Sequence, residues 1–267
     1  MPLNSMNMEY IKSYFNSDSS SDLPLIVDAP AVPLKAKVGI LYITNSLEMQ
    51  QALKTLAHAA KNPELLGIIL CIENNGGDCG QFSAFHDLIK KATTIKPVVG
   101  IVHGNALSGG YLIASATNFL ICAEASNIGS IGAITELQKL SEHHLVGNSN
   151  NNYDAKIDLE IFNAGTYKTI YNANAPLTET QRHYVQESVD KTYQYFISLV
   201  ARNRNICTED YLDWADAKVF FGFEALELGL VDQIGTLLDA EEKVLELIKQ
   251  KSPDITFDNT IETVELN

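Results

Sequence analysis

The chain has 267 residues, 46% of them hydrophobic and 19% charged, a globular composition with enough apolar side chains for a sizeable core. Its 33 acidic residues outnumber 19 basic ones, and the net charge of −14 argues against binding nucleic acid or an anionic membrane by bulk electrostatics. No apolar run approaches the roughly 18 residues of a transmembrane helix, and the N-terminus lacks the basic-then-apolar pattern of a signal peptide.

Residues 1–35 are polar and then proline-spaced, and read as a flexible N-terminal arm with a disordered Ser-Asp run at 16–22. From residue 37 the pattern alternates. Strands are expected at 37–44, 67–73, 97–103 and 119–124, each a nearly unbroken apolar run. Helices are expected at 46–61, 80–94 and 109–116, with Leu53, Leu56 and Ala60 at helical spacing in the first and Phe82, Phe85, Leu88 and Ile89 in the second. Strands with no polar face, alternating with helices, predict an α/β fold whose mainly parallel sheet is covered on both faces. Residues 146–155 read as a polar loop and 156–164 as a strand. A long helix is expected over 178–203, opened by a Thr178–Gln181 capping box, with Val185, Val189, Tyr193, Phe196 and Val200 on its apolar face. A helix stopped at Gly229, a short strand and a helix over 236–250 follow. The main domain is thus expected at 36–251, with 252–267 a loose C-terminal tail. Cys71, Cys79, Cys122 and Cys207 have neither zinc nor redox spacing, which fits reduced thiols in a cytoplasmic protein.

Three expected strand ends carry glycines: IENNGGD (72–78), GNALSGG (104–110) and SNIGSIGAI (126–134). Loops at the C-terminal ends of parallel strands gather on one edge of the sheet, where sites form. Ser108 would sit at a strand-to-helix turn, a geometry that suits a nucleophile and also an ordinary tight turn. Gly76-Gly77, with the N–H of Gly109, could form an oxyanion hole beside it. A serine nucleophile needs a base. Of the six histidines, His103 ends the strand before Ser108, although packing alone would also explain it; His58, His86, His143, His144 and His183 have no serine signal beside them. Lys168 is the one charged residue in the fifteen-residue stretch 162–176, and such an isolated cation can be desolvated into a base, or can simply be an exposed surface charge.

The segments ALSGGYLIASA, GSIGAI, AGTYKTIYNANAPLT and EALELGLVDQIG resemble, in order, the motifs of the S49 peptidases, the signal peptide peptidase A group to which the phage capsid-maturation proteases are related. The resemblance spans about residues 37–240. It implies a ClpP/crotonase-like α/β fold and a serine endopeptidase with a Ser-Lys dyad. Ser108 would be the nucleophile and Lys168 the general base. Ser130 would orient the lysine, and Gly77 and Gly109 would supply the oxyanion donors. It also implies a peptide or unfolded polypeptide substrate, a homo-oligomer, and no cofactor, metal or nucleic acid. The chain departs from the family at Asn74-Asn75, where Ser-Pro often precedes the two glycines, and no N-terminal anchor is expected. Competing readings are a phage-type capsid protease, a crotonase-like acyl-CoA enzyme, which would want basic residues for CoA phosphates, and an inactive scaffold.

Overall fold

A strand buried on both faces can carry apolar residues at every position, and the central strands do. The computed structural model describes residues 34–45, 48–139 and 160–266, all within one compact unit that begins at Leu34. The expected arm therefore lies almost wholly outside the described residues, as does the expected loop at 146–155.

The elements run in chain order as β1 (Leu34–Thr44), α1 (Met49–Lys61), β2 (Gly67–Asn74), α2 (Cys79–Ile95), β3 (Val98–Leu107), α3 (Gly109–Ser115), β4 (Phe119–Cys122) and β5 (Asn127–Gly129). After residue 160 come α4 (Glu179–Arg204), α5 (Tyr211–Trp214), β6 (Val219–Phe221), α6 (Gly222–Glu227), β7 (Gln233–Ile234), α7 (Leu237–Lys251) and β8 (Phe257–Glu265). The sheet order is β6-β5-β3-β2-β1-β8, with β4 joining β3 to β7. Among these pairs only β5–β6 is antiparallel.

Two apolar layers sandwich the sheet. On one face Ile68, Leu70, Ile72, Val98, Val102 and Ala106 pack against α1, α2, α3 and the C-terminal half of α4. On the other, Val38, Ile40, Ile69, Val99 and Ile101 pack against Ala240, Val244, Leu245 and Ile248 of α7. Burial raises the thiols of Cys71 and Cys122, which sit in these layers, to about 11. All four cysteines are unpaired.

Three expectations change. The segment after Pro253 is not a loose tail: β8 adds to the sheet edge in parallel with β1, pairing Val38 with Thr263 and Ile40 with Glu265. Of the strand expected at 156–164, residues 156–159 lie outside the described residues and 160–164 form no strand. The three-residue strand β6 was not anticipated, because it is too short to show a period. The helix expected over 178–203 is α4, with the Thr178–Gln181 capping box in place.

Candidate active site

Ser108 joins β3 to α3 with φ 50° and ψ −124°, a conformation that a residue with a Cβ rarely adopts. Backbone bonds hold it there. Its N–H donates to the Gly129 carbonyl at 2.8 Å, and its own carbonyl accepts from the Leu112 N–H at 3.0 Å. The two following glycines are required by contact. A Cβ at Gly109 would run into the Phe82 ring, and one at Gly110 into the Asn74 carbonyl oxygen. The turn sets Ser108 at the C-terminal edge of the sheet, half-buried, and ahead of a helix.

The Gly76-Gly77 loop touches this turn. A Cβ at Gly76, whose φ is 90°, would lie 2.6 Å from the Gly109 nitrogen and 2.8 Å from the Ser108 Cβ. Neither the Gly77 nor the Gly109 N–H has an acceptor among the described residues. Such free donors beside a hydroxyl can stabilise a developing oxyanion. Ser130 follows β5, which pairs with the end of β3 at Leu107–Gly129, so the two serines leave neighbouring strand ends. Its φ is 51°, and its N–H donates to the Lys218 carbonyl at 2.6 Å.

A cleft of about 330 Å³ opens over Ser108, Gly77 and Gly109. Phe82, Leu112, Ile134 and Phe196 give it apolar walls, and Asp78, Cys79 and Tyr195 give it polar ones. The Tyr195 hydroxyl and Ser83 Oγ lie 3.3 Å apart and tie α4 to α2. The α4 wall was not foreseen from sequence, since it comes from about ninety residues away in the chain.

Lys168 lies on an exposed turn and does not line the cleft. The turn is nevertheless well anchored. Gln181 Nε2 donates to the Thr166 carbonyl at 2.6 Å and to Thr169 Oγ1 at 3.3 Å, and the Tyr167 ring lies 4.6 Å from that of Tyr184. Lys139 Nζ donates to the carbonyls of Ile170 and Asn172, each at 2.7 Å. Of the two readings of Lys168, an isolated base or an exposed charge, the described residues leave it exposed. His103 is exposed on β3 and alternates out of phase with Val102 and Ala106, which face the cleft side. His86 is buried between Asp87 Oδ1 and Asn203 Nδ2, each at 2.9 Å, and His58 is exposed. His183 sits 3.6 Å from Glu187 on an exposed helix face, and His143 and His144 lie outside the described residues. The structure thus brings Ser108, Ser130, Gly77 and Gly109 to one edge of the sheet, and Lys168 is exposed and does not line the cleft.

A set of asparagines beside the site was not anticipated. Asn45, Asn75, Asn105 and Asn127 form a run of hydrogen bonds behind its loops. Their one sequence signal is position: Asn75 stands two residues before Gly77, Asn105 three before Ser108, and Asn127 three before Ser130.

The chain is similar in sequence to several proteases. The chain is 29% identical over 195 residues to the candidate protease MJ0651 of Methanocaldococcus jannaschii, covering 73% of this chain and 60% of that one. It is 31% identical over 195 residues to the candidate protease slr0021 of Synechocystis, covering 72% and 65%. Capsid assembly protease C of Escherichia phage lambda is 27% identical over 69% of this chain and 40% of its own. The chain thus spans less than two thirds of each of these relatives. The 1510-N membrane-bound stomatin-specific protease superposes with a TM-score of 0.54 at 15% identity, over 88% of this chain and 99% of that one, and so shares the fold. The profile of peptidase family S49 matches residues 90–251, well over half the sequence, and the chain belongs to that family.

Proposed function

We propose that this chain is a serine endopeptidase with Ser108 as nucleophile and Lys168 as general base. The observation that carries the reading is the strained Ser108 turn, at the mouth of an apolar-walled cleft, beside the N–H groups of Gly77 and Gly109, which have no acceptor among the described residues. In this mechanism Ser108 Oγ attacks the substrate carbonyl carbon while Lys168 Nζ takes its proton. The oxyanion rests on the two glycine N–H groups. Collapse breaks the C–N bond, the lysine protonates the leaving amine, and water then releases the acyl group from Ser108 by the same proton path. Ser130 orients the lysine amine.

The position of Lys168 favours a dyad made between two copies of the chain. Its anchored turn faces solvent, and nearby Phe162 and Tyr171 are 88% and 81% exposed. A second copy seated on this apolar surface would cover it and bring the lysine into the partner's cleft. Substrates of this reading are peptides or unfolded segments, signal peptides among them, and the unpaired cysteines fit a cytoplasmic setting. No Lys or Arg lines the described cleft, which disfavours an acyl-CoA ligand. The test is labelling with a fluorophosphonate probe. Wild type should be labelled and Ser108→Ala should not, with unchanged circular dichroism; equal labelling of both would refute the nucleophile assignment, and no labelling of wild type would favour an inactive scaffold.

A further inference from the structure

Regular backbone pairing between β2 and β3 breaks just before the site. Ile72 pairs with Val102, but the next pair is Asn74 with Ala106, so the two strands fall out of step. Beyond that point side chains take over. The Asn75 N–H donates to Asn45 Oδ1 at 2.8 Å. Asn105 Nδ2 donates to Asn75 Oδ1 at 3.0 Å, and Asn127 Nδ2 donates to Asn105 Oδ1 at 2.9 Å. Asn74 adds a local clamp: its Oδ1 accepts from the Gly76 N–H at 2.9 Å, and its Nδ2 donates to the Thr44 carbonyl at 3.1 Å. Alternation along β3 puts Ala106 into the core beneath the cleft and Asn105 on the opposite face, behind the site loops.

We infer that Asn75, Asn105 and Asn127 are positioning residues, a side-chain ladder that sets the oxyanion loop against the nucleophile turn and the Ser130 loop. This rests on the serine-peptidase reading above. The chemistry suits the task. An amide side chain both donates and accepts, so a row of them can pass one bond to the next across several strand ends. The Asn75–Asn105 bond is exposed and adds little to global stability, whereas a small displacement of an oxyanion donor is costly to rate.

The test uses Asn75→Ala, Asn105→Ala, their double variant, and the near-isosteric Asn105→Asp, which keeps the acceptor for Asn127 and loses the donor to Asn75. Three experiments are made: kcat and KM are determined on a fluorogenic peptide, inhibition by a peptide aldehyde is titrated, and amide exchange is followed at Asn75 and Gly76. The aldehyde adds Ser108 Oγ to its carbonyl and places the resulting oxyanion in the hole, so it reports the hole directly. Each single variant should lower kcat by about tenfold to a hundredfold with KM held. Aldehyde affinity should fall by the same factor, exchange should quicken, and the double variant should be no worse than the poorer single. Unchanged kcat, losses that multiply in the double variant, or kcat loss without weaker aldehyde binding would overturn the ladder. Exchange is read whether or not the chain hydrolyses peptides: unaltered exchange in Asn105→Asp sinks the ladder alone, while failure of wild type to acylate at Ser108 sinks the peptidase reading alone.

Discussion

Lys168 and Ser108 show how differently two residues can be readable. The Ser108 turn is local: the glycines that permit it are its chain neighbours, and the reasons for them, the Phe82 ring and the Asn74 carbonyl, act within a few ångströms. Whether Lys168 can act as a base depends on what covers it, and the described residues leave it exposed. A discriminating change is Lys168→Arg, which keeps the charge and most of the length but stays protonated. A general base must be neutral to accept the Ser108 proton, so wild-type initial rate on a fluorogenic peptide should rise as pH rises, and Lys168→Arg should be as inactive as Lys168→Ala while still folded. Near-wild-type turnover in the arginine variant would remove the lysine from the mechanism. The asparagine ladder lies at the other extreme, because no local pattern distinguishes a ladder asparagine from one in an ordinary polar turn.

Among the elements, α4 combines a legible start with an illegible role. Its capping box follows from Thr178 and Gln181 alone, but Gln181 is also buried and holds the Lys168 turn through Thr166 and Thr169. Its C-terminal end is fixed by a pair that periodicity could not reveal. The Arg204 side chain, 6% exposed, makes two bonds of 2.8 Å to Asp232 and one of 3.0 Å to the Gly229 carbonyl. Asp232 Oδ2 also accepts from the Leu120 N–H at 2.7 Å, which joins α4 to β4. Removing one partner leaves a buried charge uncompensated. Asp232→Ala should therefore cost about 3–5 kcal/mol, read as a lower urea midpoint with an unchanged slope. A loss below about 1 kcal/mol would show that water reaches Arg204 and that the pair is a surface one.

For the whole molecule the question is whether one copy suffices. Neither Ser108→Ala nor Lys168→Ala should be active alone. If the dyad joins two copies, exchanging subunits between the two variants should restore up to about a quarter of wild-type activity, since a neighbour pair then carries one intact serine and one intact lysine. A silent mixture, with exchange verified by light scattering and a mass tag, would place the dyad within a single chain. The sequence by itself determined the α/β class, the strand-helix alternation and the three glycine-bearing strand ends, because parallel strands and tight turns are written in side chains close along the chain. Tertiary structure alone decided that residues 257–265 close the sheet edge beside β1, that α4 walls the cleft, that Asn45 to Asn127 line up across four strands, and that Lys168 faces outward. Each of these rests on pairing or packing between residues distant in sequence, which composition and period do not encode.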